Sequence, residues 1–116
     1  MGRLTTHVLD TSVGLPAAGM VIELHAASAG RPLLASVVTG RDGRCGAPLL
    51  ADAAFQVGRY TLSFRVAGYF RGRGVLLPEP PFIDVVVIDV GVADAREHYH
   101  VPLLVSPWSY SVYRGG

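Results

Sequence analysis

Four histidines, one cysteine and ten arginines are the groups in this 116-residue chain best suited to chemistry, and lysine is absent. His98 and His100 stand two apart, so in a strand both rings leave by the same face. The alternate positions Tyr99, Val101, Leu103 and Val105 make the better core face. That sends His100 outward, beside Pro102 and Leu104. A titratable ring on an otherwise apolar outer face suggests a site built at an interface. A histidine hydrogen-bonded at a subunit contact accounts for the pattern equally well. His7, between Thr5 and Leu9, has the same character. His25 shares an outer face with Glu23 and reads as a solvated histidine. An imidazole titrates near neutral pH, which suits it to general acid and base work.

Other chemistries find weaker support. A His-x-His pair chelates zinc when a third ligand arrives. His7 or Cys45 are the candidates, but two ligands at this spacing are a thin signal, and no metal or cofactor is expected. Cys45 beside a histidine has the makings of a thiolate nucleophile, although a lone cysteine is more often a small buried hydrophobe. No Gly-x-Ser-x-Gly elbow is present. Gly72 and Gly74 do not follow a strand in a βαβ unit, so no dinucleotide site is implied. Without lysine, Schiff-base chemistry and a P-loop are excluded. Arg44 follows Asp42-Gly43 at a turn. Its guanidinium would suit a planar, electron-rich ligand through paired hydrogen bonds, while an exposed turn arginine is the plainer reading. The segment 106–116 is rich in Tyr and Ser and runs to the last residue without a polar tail. Termini normally fray, so an end this aromatic suggests docking into an interface or a pocket.

The elements that position these residues are strands. Period-2 alternation predicts strands over 4–10, 18–26, 33–39, 60–66, 83–90, 99–105 and 108–114. Residues 11–16 and 40–44 read as turns, the second of the Asp-Gly type. A short helix or irregular piece fits 67–74, and the prolines of 78–81 break any helix. Residues 83–90 are apolar on both faces, as in a strand covered from both sides. Seven or eight short strands, with turns about every ten residues, predict an all-β two-sheet sandwich. No helical pattern is long enough to cover a sheet, which disfavours an α/β architecture.

Composition sets the outer limits. Residues 1–116 suffice for one domain, and the 14 Gly and 8 Pro are scattered as turn punctuation without a linker or repeat. Half the residues are hydrophobic and only 16% are charged, against ~25% in an average soluble domain. A chain this small buries only about two-thirds of its unfolded surface. The apolar surplus therefore suggests burial against another subunit. A net charge of +1 offers no concentrated basic face for nucleic acid. No apolar run reaches the ~18–20 residues of a membrane span, and the first residues lack a signal peptide's apolar stretch. With one cysteine and no disulfide, a cytoplasmic location is expected.

Three separated motifs carry a family resemblance. The stretch His98-Tyr99-His100-Val101-Pro102-Leu103-Leu104-Val105-Ser106-Pro107, followed by Tyr110-Ser111 and Tyr113-Arg114-Gly115, closely resembles the C-terminal signature of the 5-hydroxyisourate hydrolases, the transthyretin-related enzymes of urate breakdown. The opening Leu4-Thr5-Thr6-His7-Val8-Leu9-Asp10-Thr11, with Gly14 and Pro16-Ala17, is similar to that family's first motif. Thr39 to Arg44 resembles its middle motif, and Gly58-Arg59-Tyr60-Thr61-Leu62 and Gly68-Tyr69-Phe70 also match. The resemblance covers nearly the whole chain. It implies a transthyretin-like sandwich assembled as a homotetramer, a dimer of dimers, with active sites in the channel between dimers. It also implies hydrolytic opening of the six-membered ring of 5-hydroxyisourate to 2-oxo-4-hydroxy-4-carboxy-5-ureidoimidazoline, with no cofactor. The matching positions are His7, Arg44 and His100 as catalytic residues. His7, Arg44, Ser111, Tyr113 and Arg114 are those expected to bind substrate. Two departures stand out: Gly116 replaces the family's usual terminal Ser, and Trp108 stands where Tyr or Phe is usual.

On this reading one channel histidine accepts a proton from the attacking water, and His7 and His100 share the roles of base and substrate orientation in an order left open. Arg44 binds the ring and stabilises charge developing on oxygen. The alternatives are a transthyretin-like carrier of a small hydrophobic ligand, which would not need these histidines, and a monomeric structural module.

Overall fold

The computed structural model describes residues 2–116. Nine strands form two sheets around one core. In chain order they are β1 (Arg3–Asp10), β2 (Leu15–Pro16), β3 (Val21–Ala26), β4 (Leu33–Val38), β5 (Leu50–Ala51), β6 (Gly58–Arg65), β7 (Val85–Val92), β8 (His98–Val105) and β9 (Tyr110–Val112). A 3-10 turn, Asp52–Ala54, follows β5, and one helix, α1 (Val66–Gly72), joins β6 to β7.

The first sheet runs β2-β1-β8-β9, with β5 also paired to β1; the second runs β4-β3-β6-β7. Every pairing is antiparallel except β1 with β8, which is parallel from Arg3↔His98 to Asp10↔Val105. Strand alternation explains the sandwich. Leu4 and Val8 of β1 and Leu103 and Val105 of β8 are completely buried, and they face Ile22, Leu24, Leu62 and Phe64 of the other sheet, which are equally buried. Thr5, His7 and Leu9 leave by the opposite face, as period 2 requires. The core assigned to Tyr99, Val101, Leu103 and Val105 is where the sequence pattern puts it.

Four expectations need correction. The segment 11–16, read only as a turn, ends in β2, and β5 was not anticipated. Two-residue strands are too short to show a period. The last strand spans Tyr110–Val112 only, although Gly115 bridges back to His100. The strand over 83–90 begins at Val85 and is not covered on both faces: Val85 and Val87 are 37% and 55% exposed while Val86 and Val92 are buried. Its outer face holds Asp89 and Gly91 beside Val85 and Val87, and Asp89 accepts there from the Thr61 hydroxyl. The helix occupies Val66–Gly72 within the segment expected to hold it, burying Val66, Ala67, Tyr69 and Phe70. It stops where Gly74 takes a left-handed φ of 82°, a conformation that glycine adopts freely.

One buried polar group ties the helix to the first sheet. Asp10 is fully buried. Its Oδ1 accepts from the Ser12 amide and hydroxyl, and its Oδ2 accepts from the Tyr69 hydroxyl at 2.8 Å. Burial and the neighbouring Asp10 carboxylate push the Tyr69 phenol up to about 12, so it stays a donor. Tyr69→Phe leaves Oδ2 without its partner and should cost ~1.5–3 kcal/mol, the usual worth of a hydrogen bond to a charged group. Urea unfolding measures the loss, and an unchanged midpoint would refute this account. No helix among the described residues is long and apolar enough to cross a membrane.

A candidate active site on the parallel strand pair

The register of β1 against β8 decides which side chains meet. Arg3 lies opposite His98, Thr5 opposite His100 and His7 opposite Pro102. These pairs share the outer face of the first sheet, so groups about 95 residues apart in the chain become neighbours. A cleft of about 400 Å³ opens over the first two pairs, lined by Arg3, Thr5, Arg44, Cys45, His98 and His100, with Gly116 also in its wall; His7 lies beside it, bridged to Arg44, and does not line it.

Arg44 reaches this face through the turn at 40–44. The turn is closed by the Gly43 amide donating to Gly40 O, and the Asp42 carboxylate accepts from the Arg44 amide. It lies against β1: the Val8 amide donates to Gly43 O at 2.9 Å, and His7 bridges Arg44. Such an approach needs glycine. Gly43 has φ 75°, and a Cβ there would stand 2.3 Å from Val8 O. The Asp-Gly signal of the sequence thus marks a device that delivers Arg44. The Arg44 guanidinium makes no ion pair or hydrogen bond among the described residues and is exposed.

Each imidazole is held differently. His7 Nε2 lies 2.8 Å from Asp42 O. A carbonyl only accepts, so Nε2 carries the proton and Nδ1 is the free base of the neutral ring. His100 Nδ1 lies 2.7 Å from the Thr5 hydroxyl, and His98 Nε2 lies 2.8 Å from the same oxygen. Burial, then the charge of Arg44, and then His98 and His7 hold the His100 pKa below the usual 6.5. Burial, with Arg3 and Arg114 nearby, lowers that of His98. Both rings are therefore neutral at pH 7 and available as bases. Burial, with Asp42 adding to it, pushes the Cys45 thiol up from 9.0, so the thiolate reading loses support. Among the described residues no three His, Cys, Asp or Glu side chains converge to hold a metal ion. Among the side chains of the cleft wall are two arginines and no carboxylate, donors that suit an electron-rich ligand.

His7, Arg44 and His100 are thus brought together. His7 borders the cleft through its bridge to Arg44, and none of the other three expected ligand-binding residues lines the cleft within a single chain. Ser111 pairs across from Leu104 on the same outer face but farther along the sheet. Tyr113 and Arg114 line a second cavity of about 290 Å³ with Leu4, Val90, Tyr99 and Val112. The Arg114 guanidinium sits 3.9 Å from the Tyr99 ring centre and pairs with Glu97 at 3.0 Å. Behind it, the Gly115 amide donates to His100 O at 2.7 Å, and a Cβ on Gly115 would lie 2.8 Å from His100 Cδ2. The tail therefore packs directly on the catalytic candidate. His25 is half-buried on the outer face of the other sheet, as expected, far from this chemistry in the fold. Among the polar side chains of the cleft, Arg3, Thr5 and Thr6 are not singled out by the sequence, and His98 receives no catalytic or binding role from it. The His-x-His spacing marked His98. Nothing local marks Thr5, because its partners come from the other end of the chain.

The depressed pKa has a measurable consequence. His100 should titrate below 6.5 in a proton NMR titration. Since the unfolded chain then binds protons more readily, His100 lowers stability as pH falls from about 6.5 through the folded-state value. A His100 titration at or above 6.5 would contradict the burial and the Arg44 contact described here.

Comparison with known proteins adds an independent view. A family model described as HIUase/Transthyretin family matches residues 4–115. A 5-hydroxyisourate hydrolase of Ralstonia nicotianae is 57% identical over 99% of each chain. The solved structure of Klebsiella pneumoniae 5-hydroxyisourate hydrolase superposes with a TM-score of 0.84 at 34% identity, covering all of both chains. That of an (S)-allantoin synthase gives a TM-score of 0.94 at 44% identity; 99% of this chain matches, spanning 44% of that protein.

Proposed function

Since this chain belongs to the HIUase/Transthyretin family, we propose that it is a hydrolase that opens the ring of 5-hydroxyisourate, and that it does so in the cleft over β1 and β8. The observation that carries this reading is the meeting of His7, Arg44 and His100 on one sheet face from three distant segments. A carrier of hydrophobic ligands has no use for two imidazoles beside an unpaired guanidinium.

The chemistry follows from the groups present. Water attacks a ring carbonyl while an imidazole takes its proton. In these two rings, Nδ1 of His7 and Nε2 of His100 are the nitrogens without a partner among the described residues, and the lowered pKa of His100 keeps that ring in its basic form at neutral pH. His100 acts as base, and His7, immobilised by Asp42 O, orients the ring. Arg44 donates to the carbonyl oxygen as negative charge develops there. The ring C–N bond then breaks, and its nitrogen takes up the second proton of the attacking water as the carboxylate forms. The carboxylate product is 2-oxo-4-hydroxy-4-carboxy-5-ureidoimidazoline. No step calls for a cofactor.

Assembly completes the proposal. The edge strands β7 and β9 leave Val85, Val87, Tyr110 and Tyr113 exposed. A homotetramer, a dimer of dimers, buries such surface and turns an open cleft into a channel wall. There, Ser111 and Tyr113 approach the substrate, while Arg114, already held by Glu97 and Tyr99, fixes the tail against His100. A reducing cytoplasm suits a protein with a single half-buried cysteine.

The direct test is to generate 5-hydroxyisourate with urate oxidase and follow its ultraviolet decay with and without the protein. Acceleration is expected, and its absence with the assembly intact would favour a carrier. Arg44→Ala should lose ~2.7–4 kcal/mol of transition-state stabilisation, while the assembly persists by size exclusion. A fully active variant removes Arg44 from the mechanism. The acid limb of kcat/KM should fall below pH 6.5, because the active form of His100 is the unprotonated one and its pKa is lowered. His100→Asn should abolish that limb along with most of the rate.

A further inference from the structure

One hydroxyl in the cleft is shared by two imidazoles, and no role in the proposed reaction has yet been given to it. Thr5 Oγ1 lies 2.7 Å from His100 Nδ1 and 2.8 Å from His98 Nε2. A hydroxyl has one proton to donate. With both rings neutral, it donates to one nitrogen and accepts an N–H from the other. The two tautomers are therefore coupled: if Thr5 donates to His98, His100 must carry its proton on Nδ1, and Nε2 is then a free base. If Thr5 donates to His100, Nε2 carries the proton and cannot act as a base.

We infer that Thr5 is a positioning residue that sets the tautomer of His100, and that His98-Thr5-His100 is a relay carrying the proton taken from water out of the cleft. The inference rests on the reading of His100 as base. The transfers balance. His100 Nε2 takes the water proton, Nδ1 gives its proton to Thr5 Oγ1, and Thr5 passes its own proton to His98 Nε2. No charge is left on the hydroxyl, the hydroxide equivalent goes to the substrate carbonyl, and its remaining proton passes to the leaving ring nitrogen as the carboxylate forms, so that one proton leaves through the relay for each ring opened.

The surroundings favour this direction. His100 is the more buried of the two rings, and it faces Arg44, whose guanidinium has no counter-ion among the described residues, together with His7. A positive charge that stayed on His100 would be repelled by Arg44. His98 is exposed, with Arg3 across the strand pair and Arg114 close by, the latter neutralised by Glu97 at 3.0 Å. A proton arriving at His98 can pass to water. The geometry also fixes Thr5 itself: β-branching restricts its χ1, and the parallel register places it directly opposite His100.

The test uses the full-length, assembled protein and two variants. Thr5→Val keeps the shape and removes the hydroxyl; Thr5→Ser keeps the hydroxyl. Thr5→Val should lower kcat on 5-hydroxyisourate by about 10²-fold, the low end of what a positioned base contributes, with KM little changed, and Thr5→Ser should recover most of it. Nitrogen-15 NMR of the imidazoles gives a readout independent of turnover: the wild type should show His100 protonated at Nδ1, and Thr5→Val should lose that preference. If the wild type hydrolyses the substrate but Thr5→Val matches it, or Thr5→Ser is as slow as Thr5→Val, the relay is wrong while the hydrolase reading stands. If the wild type does not hydrolyse it, the hydrolase reading fails, and the nitrogen spectra still decide the tautomer. Should Thr5→Val not fold, a wild-type spectrum showing His100 protonated at Nε2 is enough to overturn the inference.

Discussion

The parallel pairing of β1 with β8 is the constraint on which the rest depends. It joins the two ends of the chain along eight residues, and its register determines that Thr5 faces His100 and that His7 stands one step along. A one-residue slip of β1 would turn Thr5 and His7 into the core and bring Leu4 and Val8 to the surface. The buried face thereby guarantees the geometry of the reactive face. Both are written in the same alternation, and the hydrophobic side enforces it at a cost of several kcal/mol for any error.

The second organising feature is electrostatic. The cleft gathers cationic and neutral donors and holds no carboxylate side chain in its wall. Two consequences follow from one composition. Arg44 stays unpaired and free to meet a ligand oxygen, and the histidines are kept uncharged by burial and by their cationic neighbours. An aspartate beside His100 would raise its pKa and draw Arg44 into an ion pair. The nearest acid of the turn, Asp42, is instead used through its backbone carbonyl for His7 and through its side chain for the Arg44 amide. Glu97, at the start of the tail's contacts, is taken up by Arg114.

Glycines permit the close approaches around this site. Gly43 lets the Arg44 turn lie against β1, and Gly115 lets the tail lie against His100. At both places a Cβ would meet atoms of the strand pair at less than van der Waals distance, so backbone rather than side chain forms the contact. Close backbone contacts thus lie at the same points that carry the chemistry, which is what a preorganised donor set needs.

The amino-acid order alone determined a good deal here. Alternation announced the strands, the core face of β8 and the outward direction of His7 and His100, because period 2 is a local property of each strand. Asp42-Gly43 announced the turn that holds Arg44, because glycine's freedom at positive φ is local too. Short pairings such as β2 and β5 were invisible, being too brief for a pattern, and the exposure of Val85 and Val87 depends on which face of the second sheet is turned from the core. Only the tertiary structure decided that Thr5 sits between His98 and His100, that Arg3 joins them, and that Arg114 turns to Glu97 and Tyr99. Those facts depend on which strand lies beside which and in what register. Such neighbours come from opposite ends of the chain, and no residue near Thr5 carries any trace of them.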